Sequence, residues 1–166
     1  MPLIQEQFFD IGANLTHESF TEDLDSVIIE ASKLGVKRLS VTGSSVKDSL
    51  EAFEITQRYP KTCISTAGIH PHNAKEYSTA AFSEIKDLLK NDLVKSIGET
   101  GLDFNRNFSS PEDQQKSFEA HLELSIELNK PLFLHERDAH EKFVEITSLY
   151  LKDLPKSVVH CFTGTE

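Results

Sequence analysis

Six short apolar runs alternate with segments of helical periodicity along the 166-residue chain, and this alternation constrains the fold more than any other feature. The runs are rich in β-branched and aromatic residues, and they lie at Phe8–Ile11, Arg38–Thr42, Cys63–Ala67, Val94–Ile97, Pro131–Leu134 and Ser157–Cys161. Strands that alternate with helices form parallel sheets through right-handed crossovers. The sequence therefore predicts an α/β protein built on a parallel sheet.

Five helices are predicted between the runs, because apolar residues recur there every three or four positions. The fourth helix has the clearest start, since Ser110 fits an N-cap, Pro111 a first helical residue and Asp113 an acidic third residue. Gly35 is expected to follow the first helix as its C′ residue. The predicted spans are about 24–34, 50–59, 81–89, 111–129 and 140–151.

Both a doubly wound open sheet and a (β/α)8 barrel would produce this alternation, and the polar residues distinguish them. Small or reactive residues follow nearly every run: Gly12, Asn14, Gly43, His70, His72, Glu99, His135 and His160. Side chains from many strand ends converge at the mouth of a barrel, whereas an open sheet collects them at one switch point. We therefore expect a (β/α)8 TIM-barrel type fold.

Only about six of the eight βα units of such a barrel are present, because a complete one typically takes about 250 residues. We expect residues 1–166 to form a single incomplete barrel domain, truncated at its C-terminal end. A six-stranded arc leaves two unpaired edges, which a monomer tolerates badly. If the chain is stable alone, we expect it to form a homodimer or to flatten into an open sheet.

Charge and cysteine content limit the possible functions. The chain carries 17 basic and 27 acidic residues, for a net charge of −10, which argues against a broad basic surface for nucleic acid. The negative net charge does not exclude catalysis on phosphate groups in a local pocket, because a divalent cation can supply the positive charge there. No membrane-length apolar run occurs, and MPLIQEQFFD lacks signal-peptide features. Cys63 and Cys161 are expected as reduced, buried thiols, so we predict a cytoplasmic protein.

Two successive runs end in a histidine, His135 and His160, and the run before them ends in Glu99. Each residue alone has an ordinary explanation, such as a hydrogen-bonded core histidine or a glutamate paired with a neighbouring arginine. Together they form a His/His/carboxylate set, which suits a divalent metal in a hydrolytic site. We predict that these residues bind a metal.

His70 and His72 lie just beyond the third run and could both face one ligand, since alternate residues of an extended segment point the same way. A solvated polar turn explains this pair equally well. Asp103 follows Glu99 by four residues and could support the site or position a water molecule.

Arg137 could bind a phosphate with two parallel hydrogen bonds, or it could pair with Glu136 or Asp138 on the surface. Of the remaining histidines, His140 is expected to begin a helix, and His121 is interpreted as an ordinary helical residue beside an apolar face.

The stretches DIGANLT, TAGIHPHNA, GLDFNRNFSSPEDQQKSFEAHL, PLFLHERDAH and VVHCFTGT together resemble the TatD family of metal-dependent deoxyribonucleases over the whole chain. The resemblance implies an amidohydrolase-type barrel that hydrolyses DNA phosphodiesters with Mg²⁺, or alternatively Zn²⁺ or Mn²⁺. It also implies a 3′→5′ exonuclease with a preference for single-stranded DNA, and RNA as an alternative substrate.

The matching motifs make Glu99, His135 and His160 metal ligands and place His70 and His72 beside the substrate, for contact or proton transfer. On the mechanism that follows, a carboxylate removes a proton from metal-bound water, and His70 or Arg137 steadies the phosphoryl oxygens. The expected catalytic set is therefore His70, His72, Asp103 and Arg137.

The chain departs from the family pattern in two places. Many relatives carry D-x-H-x-H on the first strand, whereas here Gly12 and Asn14 stand at the two histidine positions, as in the TatD-proper branch. The resemblance therefore does not extend to a complete second metal site. The family's aspartate on the eighth strand falls beyond residue 166, so reduced turnover is expected. Two alternatives stay open: an amidohydrolase acting on a small amide or ester, and a non-catalytic fragment.

Overall fold

A computed structural model describes residues 7–164 of the chain. Residues 1–6, which belong to the stretch examined for a signal peptide, and residues 165–166 lie outside the described part. The strands are β1 (Phe8–Ala13), β2 (Val36–Val41), β3 (Cys63–Ala67), β4 (Val94–Asp103), β5 (Leu132–Arg137) and β6 (Val158–His160). The α-helices are α1 (Leu24–Lys33), α2 (Val46–Arg58), α3 (Thr79–Leu88), α4 (Pro111–Leu128) and α5 (His140–Ser148). Short 3₁₀ helices cover Glu18–Phe20 and Pro71–Glu76.

The strands form one parallel sheet in sequential order, β1-β2-β3-β4-β5-β6. The predicted α/β class, the strand number and the parallel pairing are therefore confirmed. Within the described residues β1 and β6 each pair on one side, so both are edges of the sheet.

The sheet is curled, because residues of its two ends approach each other. In a flat sheet β1 and β5 would lie roughly 19 Å apart, since neighbouring strands are about 4.8 Å apart. A Cβ atom built on Gly12 of β1 would lie 3.1 Å from the ring of Phe133 on β5. Phe9 of β1 and Val158 of β6 line one cavity of about 290 Å³. The curl is that of an arc of the expected barrel.

The helices cover the sheet with two apolar clusters. The larger one joins α3, α4 and α5 to β3, β4 and β5, and within it Phe118 of α4 stacks on Phe143 of α5 with ring centroids 5.2 Å apart. The smaller one joins α1 and α2 to β1 and β2 around Ile28 and Val41. None of the helices within residues 7–164 combines the length and hydrophobicity that crossing a bilayer requires.

Local capping signals set several helix ends as the sequence predicts. The Ser110 side chain accepts a hydrogen bond from the Asp113 N–H at the start of α4, and Gly35 has a φ of 105° after α1. The expected start of α2 at Leu50 is wrong: α2 begins at Val46, because the Ser45 hydroxyl caps it by accepting from the backbone N–H of its third residue.

The two cysteines are free thiols, but the expectation that both are buried is wrong for one of them. Cys63 is buried on β3, and burial raises its pKa to about 11. Cys161 is exposed, because β6 ends at His160 and the backbone turns there into the left-handed region, with a φ of 50° at Cys161.

Candidate metal centre

The carboxyl ends of four neighbouring strands bring His70, Glu99, His135 and His160 together. Strand β4 runs on to Asp103 instead of ending at Ile97 as expected, so Glu99 and Asp103 both lie within the strand. His135 is in register with His160 on one side and with Gly101 on the other. Parallel pairing thus aligns these side chains along one edge of the sheet.

Glycine makes the approach of β4 to β5 possible. Gly101 has a φ of +140°, and a Cβ atom there would overlap the carbonyl oxygen of His135. Glycine alone adopts such a φ without strain and leaves room for the neighbouring backbone. Gly101 therefore allows the strand that presents Glu99 to lie close against β5.

One carboxylate oxygen is the centre of the cluster. Glu99 Oε1 lies 2.6 Å from His160 Nε2, 2.8 Å from His135 Nδ1 and 3.3 Å from His70 Nε2. A carboxylate oxygen has two lone pairs, so three nitrogen neighbours exceed what hydrogen bonding alone can satisfy. The ligand atoms of His70, Glu99 and His135 all lie within 4.8 Å of one another. These nitrogen and oxygen donors fit a divalent metal ion.

The electrostatics favour an ionised Glu99 beside a neutral His70. Glu99 is buried, and although burial alone would raise its pKa, hydrogen bonds with His135, His160 and His70 hold that pKa well below its usual range. Burial lowers the pKa of His70, with the nearby Glu99 opposing the shift. Neutral imidazoles and a carboxylate are the protonation states that metal binding requires.

A second buried carboxylate, Asp103, lies beside the first group and contacts two histidines. Its Oδ2 lies 2.8 Å from His72 Nε2 and 3.4 Å from His135 Nε2. Burial opposes its ionisation, but the Arg106 backbone N–H and the His72 ring lower the pKa of Asp103 overall. His135 Nε2 is buried and has no hydrogen-bond partner within the described residues, since the Asp103 contact lacks hydrogen-bond geometry.

Gln114 on α4 positions Asp103, although no motif in the sequence marks it as a site residue. Its Oε1 accepts from the Asp103 backbone N–H at 2.9 Å, and its Nε2 donates to the carbonyl oxygens of Asp103 and Ser109 at 3.1 and 3.0 Å. Gln114 is fully buried. A polar residue one turn into an amphipathic helix resembles many surface residues, so only the fold distinguishes it.

His121 on α4 is the second supporting residue: it lies on a helix beside Leu122, as expected, and it is fully buried. Its Nε2 accepts from the Ile69 backbone N–H at 3.1 Å, one residue before His70, while its Nδ1–H donates to the Ser117 carbonyl at 2.6 Å. Burial lowers the pKa of His121 to about 4, so the ring is neutral at pH 7. Nothing in the spacing of α4 indicates a partner 52 residues away.

Arg137 ends β5, and within the described residues its side chain forms no hydrogen bond or ion pair with the cluster. It forms no ion pair with Glu136 or Asp138 in the part of the chain that the structure describes, so the expected surface pair is absent there. Glu136 is instead buried and accepts hydrogen bonds from the backbone N–H groups of Ala139 and Thr163, at 3.0 and 3.2 Å.

A cavity of about 510 Å³ opens onto this cluster. Its lining includes the two positions at which the chain departs from the D-x-H-x-H pattern. The lining residues are Gly12, Asn14, Thr42, Ser44, His70, His72, Asn73, Glu99, Phe108 and His160. The cavity is therefore polar at its base, with one exposed aromatic residue, Phe108, on its rim.

Fold and site together define a barrel-type α/β protein with a histidine and carboxylate centre at the carboxyl ends of its strands. The chain belongs to the family described as TatD related DNase, whose sequence profile matches residues 9–166. This confirms the resemblance drawn from the motifs.

Individual relatives agree with this assignment. The chain is 46% identical over 158 residues to proteins from Pectobacterium carotovorum and Escherichia fergusonii, each named 3′-5′ ssDNA/RNA exonuclease TatD. These alignments cover 95% of this chain and 61% and 60% of the relatives, so the chain spans about three fifths of their length.

Two solved structures share the fold. A hydrolase TatD family protein from Entamoeba histolytica has a TM-score of 0.88 and 30% identity. The match covers 96% of this chain and 60% of the Entamoeba chain. A TatD homologue from Escherichia coli has a TM-score of 0.84 and 25% identity, covering 95% and 61%. The six-stranded arc thus matches part of larger family members.

Proposed function

We propose that this chain is the greater part of a metal-dependent nuclease that removes nucleotides from the 3′ end of single-stranded DNA or RNA. The observation that carries the proposal is the set of three imidazole nitrogens around one oxygen of Glu99. The names of the relatives support the substrate class.

Glu99, His135 and His160 would hold the metal through Oε1, Nδ1 and Nε2. A bound divalent ion lowers the pKa of a water ligand and polarises a phosphoryl oxygen. The family resemblance favours Mg²⁺, whereas imidazole nitrogens are better ligands for Zn²⁺ than for Mg²⁺. The identity of the metal is therefore a separate measurement from its presence.

His70 is better suited to donate a hydrogen bond than to bind metal. Its Nδ1 accepts the backbone N–H of His72 at 3.1 Å, so in the neutral ring the proton resides on Nε2. That Nε2 lies 3.3 Å from both Glu99 Oε1 and His135 Nδ1, and His70 lines the cavity. We assign His70 the role of stabilising negative charge on a phosphoryl oxygen.

Asp103 would orient two histidines. Its carboxylate accepts from His72 Nε2–H, which leaves His72 Nδ1 for the substrate or for proton transfer. It also lies 3.4 Å from His135 Nε2, and a hydrogen bond there would orient that ring and raise its basicity, as a carboxylate does on the far nitrogen of a metal-binding histidine. The Arg137 side chain has no hydrogen-bond or ion-pair partner in the described residues. Its role as a phosphate ligand is still a prediction.

Metal titration by calorimetry and cleavage of 3′-labelled single-stranded DNA and RNA test this function. We expect Glu99→Gln to abolish tight metal binding and metal-dependent cleavage while leaving thermal unfolding little changed. Glu119→Gln, at an exposed position on α4, is the matched control and should behave as wild type. Retained metal binding and cleavage in Glu99→Gln would contradict the proposal.

The alternative of a small-molecule amidohydrolase uses the same donors, and the net charge of −10 favours it over a nuclease with a broad basic surface. Turnover of generic esters and lactones, with no cleavage of nucleic acid, would support that alternative. The cytoplasmic location and the assignment of residues 1–166 to one incomplete domain stay predictions.

A further inference from the structure

Phe108 is a large aromatic residue left exposed on the rim of a polar cavity. Its exposed fraction is 58%, and it lines the cavity together with His70, His72 and Glu99. Single exposed apolar residues are common on protein surfaces, so exposure alone assigns no role. The role follows from how the loop holds this residue and from what lies beside it.

The loop from β4 to α4 is held in place by its own hydrogen bonds before Phe108. The carboxylate oxygen Oδ1 of Asp103 accepts from the backbone N–H groups of Asn105 and Arg106, both at 3.0 Å. The side-chain amide of Asn107 donates to the Phe104 carbonyl oxygen at 2.8 Å. These contacts connect the loop directly to a carboxylate of the metal centre.

The loop is also held immediately after Phe108. Ser109 is buried, and its hydroxyl donates to the His72 carbonyl oxygen at 2.8 Å and accepts from the Lys75 N–H at 3.0 Å. The segment that carries Phe108 is therefore attached to the segment that carries His72. A binding group presented by a preorganised loop loses little conformational entropy when a ligand binds.

The orientation of the ring leaves a surface for stacking. Phe108 and His72 have ring centroids 4.8 Å apart with their planes at 72°, so the two rings meet edge to face. In such an arrangement His72 covers at most one face of Phe108. The remaining exposed surface borders the cavity in which a phosphate would meet the centre.

We propose that Phe108 stacks against a nucleobase of single-stranded nucleic acid and so places the adjoining phosphodiester at the metal centre. This rests on the proposed nuclease function. An aromatic ring can stack on any of the bases, because each base has a π-face, so this contact requires no particular nucleotide sequence. It also suits a chain with a net charge of −10, since little of the affinity can then come from neutralising phosphates.

A fluorescence titration tests the proposal without requiring catalysis. The natural chain contains no tryptophan, so Phe108→Trp introduces a single reporter at the proposed stacking position. We expect saturable quenching by a nuclease-resistant phosphorothioate oligothymidylate. An oligomer of equal length built from base-free sugars should not quench it. Phe8→Trp is the matched control, because Phe8 is similarly exposed, at 54%, at the opposite end of the sheet.

Affinity gives the second readout. We expect Phe108→Ala to bind the oligothymidylate about tenfold more weakly than wild type, while Phe108→Trp retains or improves binding. The log–log salt slope of wild-type binding should be shallower than about −2, equivalent to about three neutralised phosphates on a single strand. Since Phe108 is exposed, neither substitution should change thermal unfolding.

The stacking proposal is overturned if Phe108→Ala binds as wild type does, or if the base-free oligomer quenches Phe108→Trp equally. These outcomes are separable from failure of the nuclease proposal. Base-dependent quenching without cleavage would retain the stacking role and reject the nuclease. Cleavage with an unchanged KM in Phe108→Ala would retain the nuclease and reject stacking.

Discussion

Two buried carboxylates on one strand divide the histidines of this site between them. Glu99 contacts His70, His135 and His160, and Asp103 contacts His72 and approaches His135. The two acids are four residues apart on β4, and both carboxylates lie beside the ring of His135. At the residue scale, one acid is suited to holding a metal and the other to orienting imidazoles.

Replacing Asp103 tests the orienting role. We expect Asp103→Asn to lower kcat by about 10- to 100-fold, the usual effect of removing a carboxylate behind a metal-binding histidine. Metal should still bind, because Glu99, His135 and His160 are intact. Steady-state kinetics and calorimetric metal titration measure the two effects, with the exposed Asp153→Asn as control. Unchanged kcat in Asp103→Asn would contradict the assignment.

His121 predicts a pH dependence of stability. Its pKa is about 4 in the folded chain and about 6.5 when unfolded, so the unfolded state binds more protons between these values. The contribution of neutral His121 to the free energy of unfolding is therefore fully present above about pH 6.5. It decreases as the pH falls towards 4, by about 3 kcal/mol at most.

Urea unfolding at pH 5.0 and 7.5 measures this effect. His121→Gln can still accept the Ile69 N–H and has no proton to gain, so it should lose less stability between the two pH values than wild type does. Comparing the variant with wild type removes the contribution of other titrating groups. Equal losses in both proteins would show that His121 does not titrate on unfolding.

At the scale of the elements, β4 and the loop after it determine the shape of the site. Sequence periodicity placed the end of this strand at Ile97, because Gly98 and the polar residues after it interrupt the apolar run. In the fold β4 continues to Asp103, since pairing with β5 and burial beneath α4 override local propensity. The 3₁₀ helix Pro71–Glu76, capped by His70, was likewise absent from the sequence-based prediction.

Gly101→Ala tests the close contact between β4 and β5. The new Cβ atom would overlap the His135 carbonyl oxygen at a φ of +140°, so we expect a loss of more than about 2 kcal/mol in unfolding free energy. Gly12→Ala is the matched control, because its Cβ atom would meet only the Phe133 ring, at 3.1 Å. Urea unfolding of both variants measures the difference, and equal stability would contradict this explanation of Gly101.

At the scale of the whole molecule, residues 7–164 form an arc of parallel strands with an edge at β1 and another at β6. It matches family members of which it covers about 60%. Exposed sheet edges offer unpaired backbone groups to another chain. Whether another chain pairs with these edges in solution therefore determines the oligomeric state.

We expect the isolated chain to form a homodimer through these edges. Native mass spectrometry and light scattering should then find a particle of twice the 18.7 kDa chain mass, dissociating on dilution. A lysine introduced at Val159 on β6 should weaken the dimer, and the same substitution at the exposed Leu34 after α1 should not. A stable 18.7 kDa monomer at high concentration would contradict the expectation.

The sequence by itself determined the fold class, the number and parallel pairing of the strands, the N-cap of α4, and which histidines and glutamate follow the strands. These features depend on local signals: apolar periodicity, capping side chains and reactive residues at strand ends. Only the tertiary structure decided that three imidazoles share Glu99 Oε1, that Gln114 and His121 hold the site, and that Phe108 stays exposed. The reason is physical: such contacts join residues up to 61 positions apart, and their distances depend on how helices and strands pack rather than on neighbouring residues.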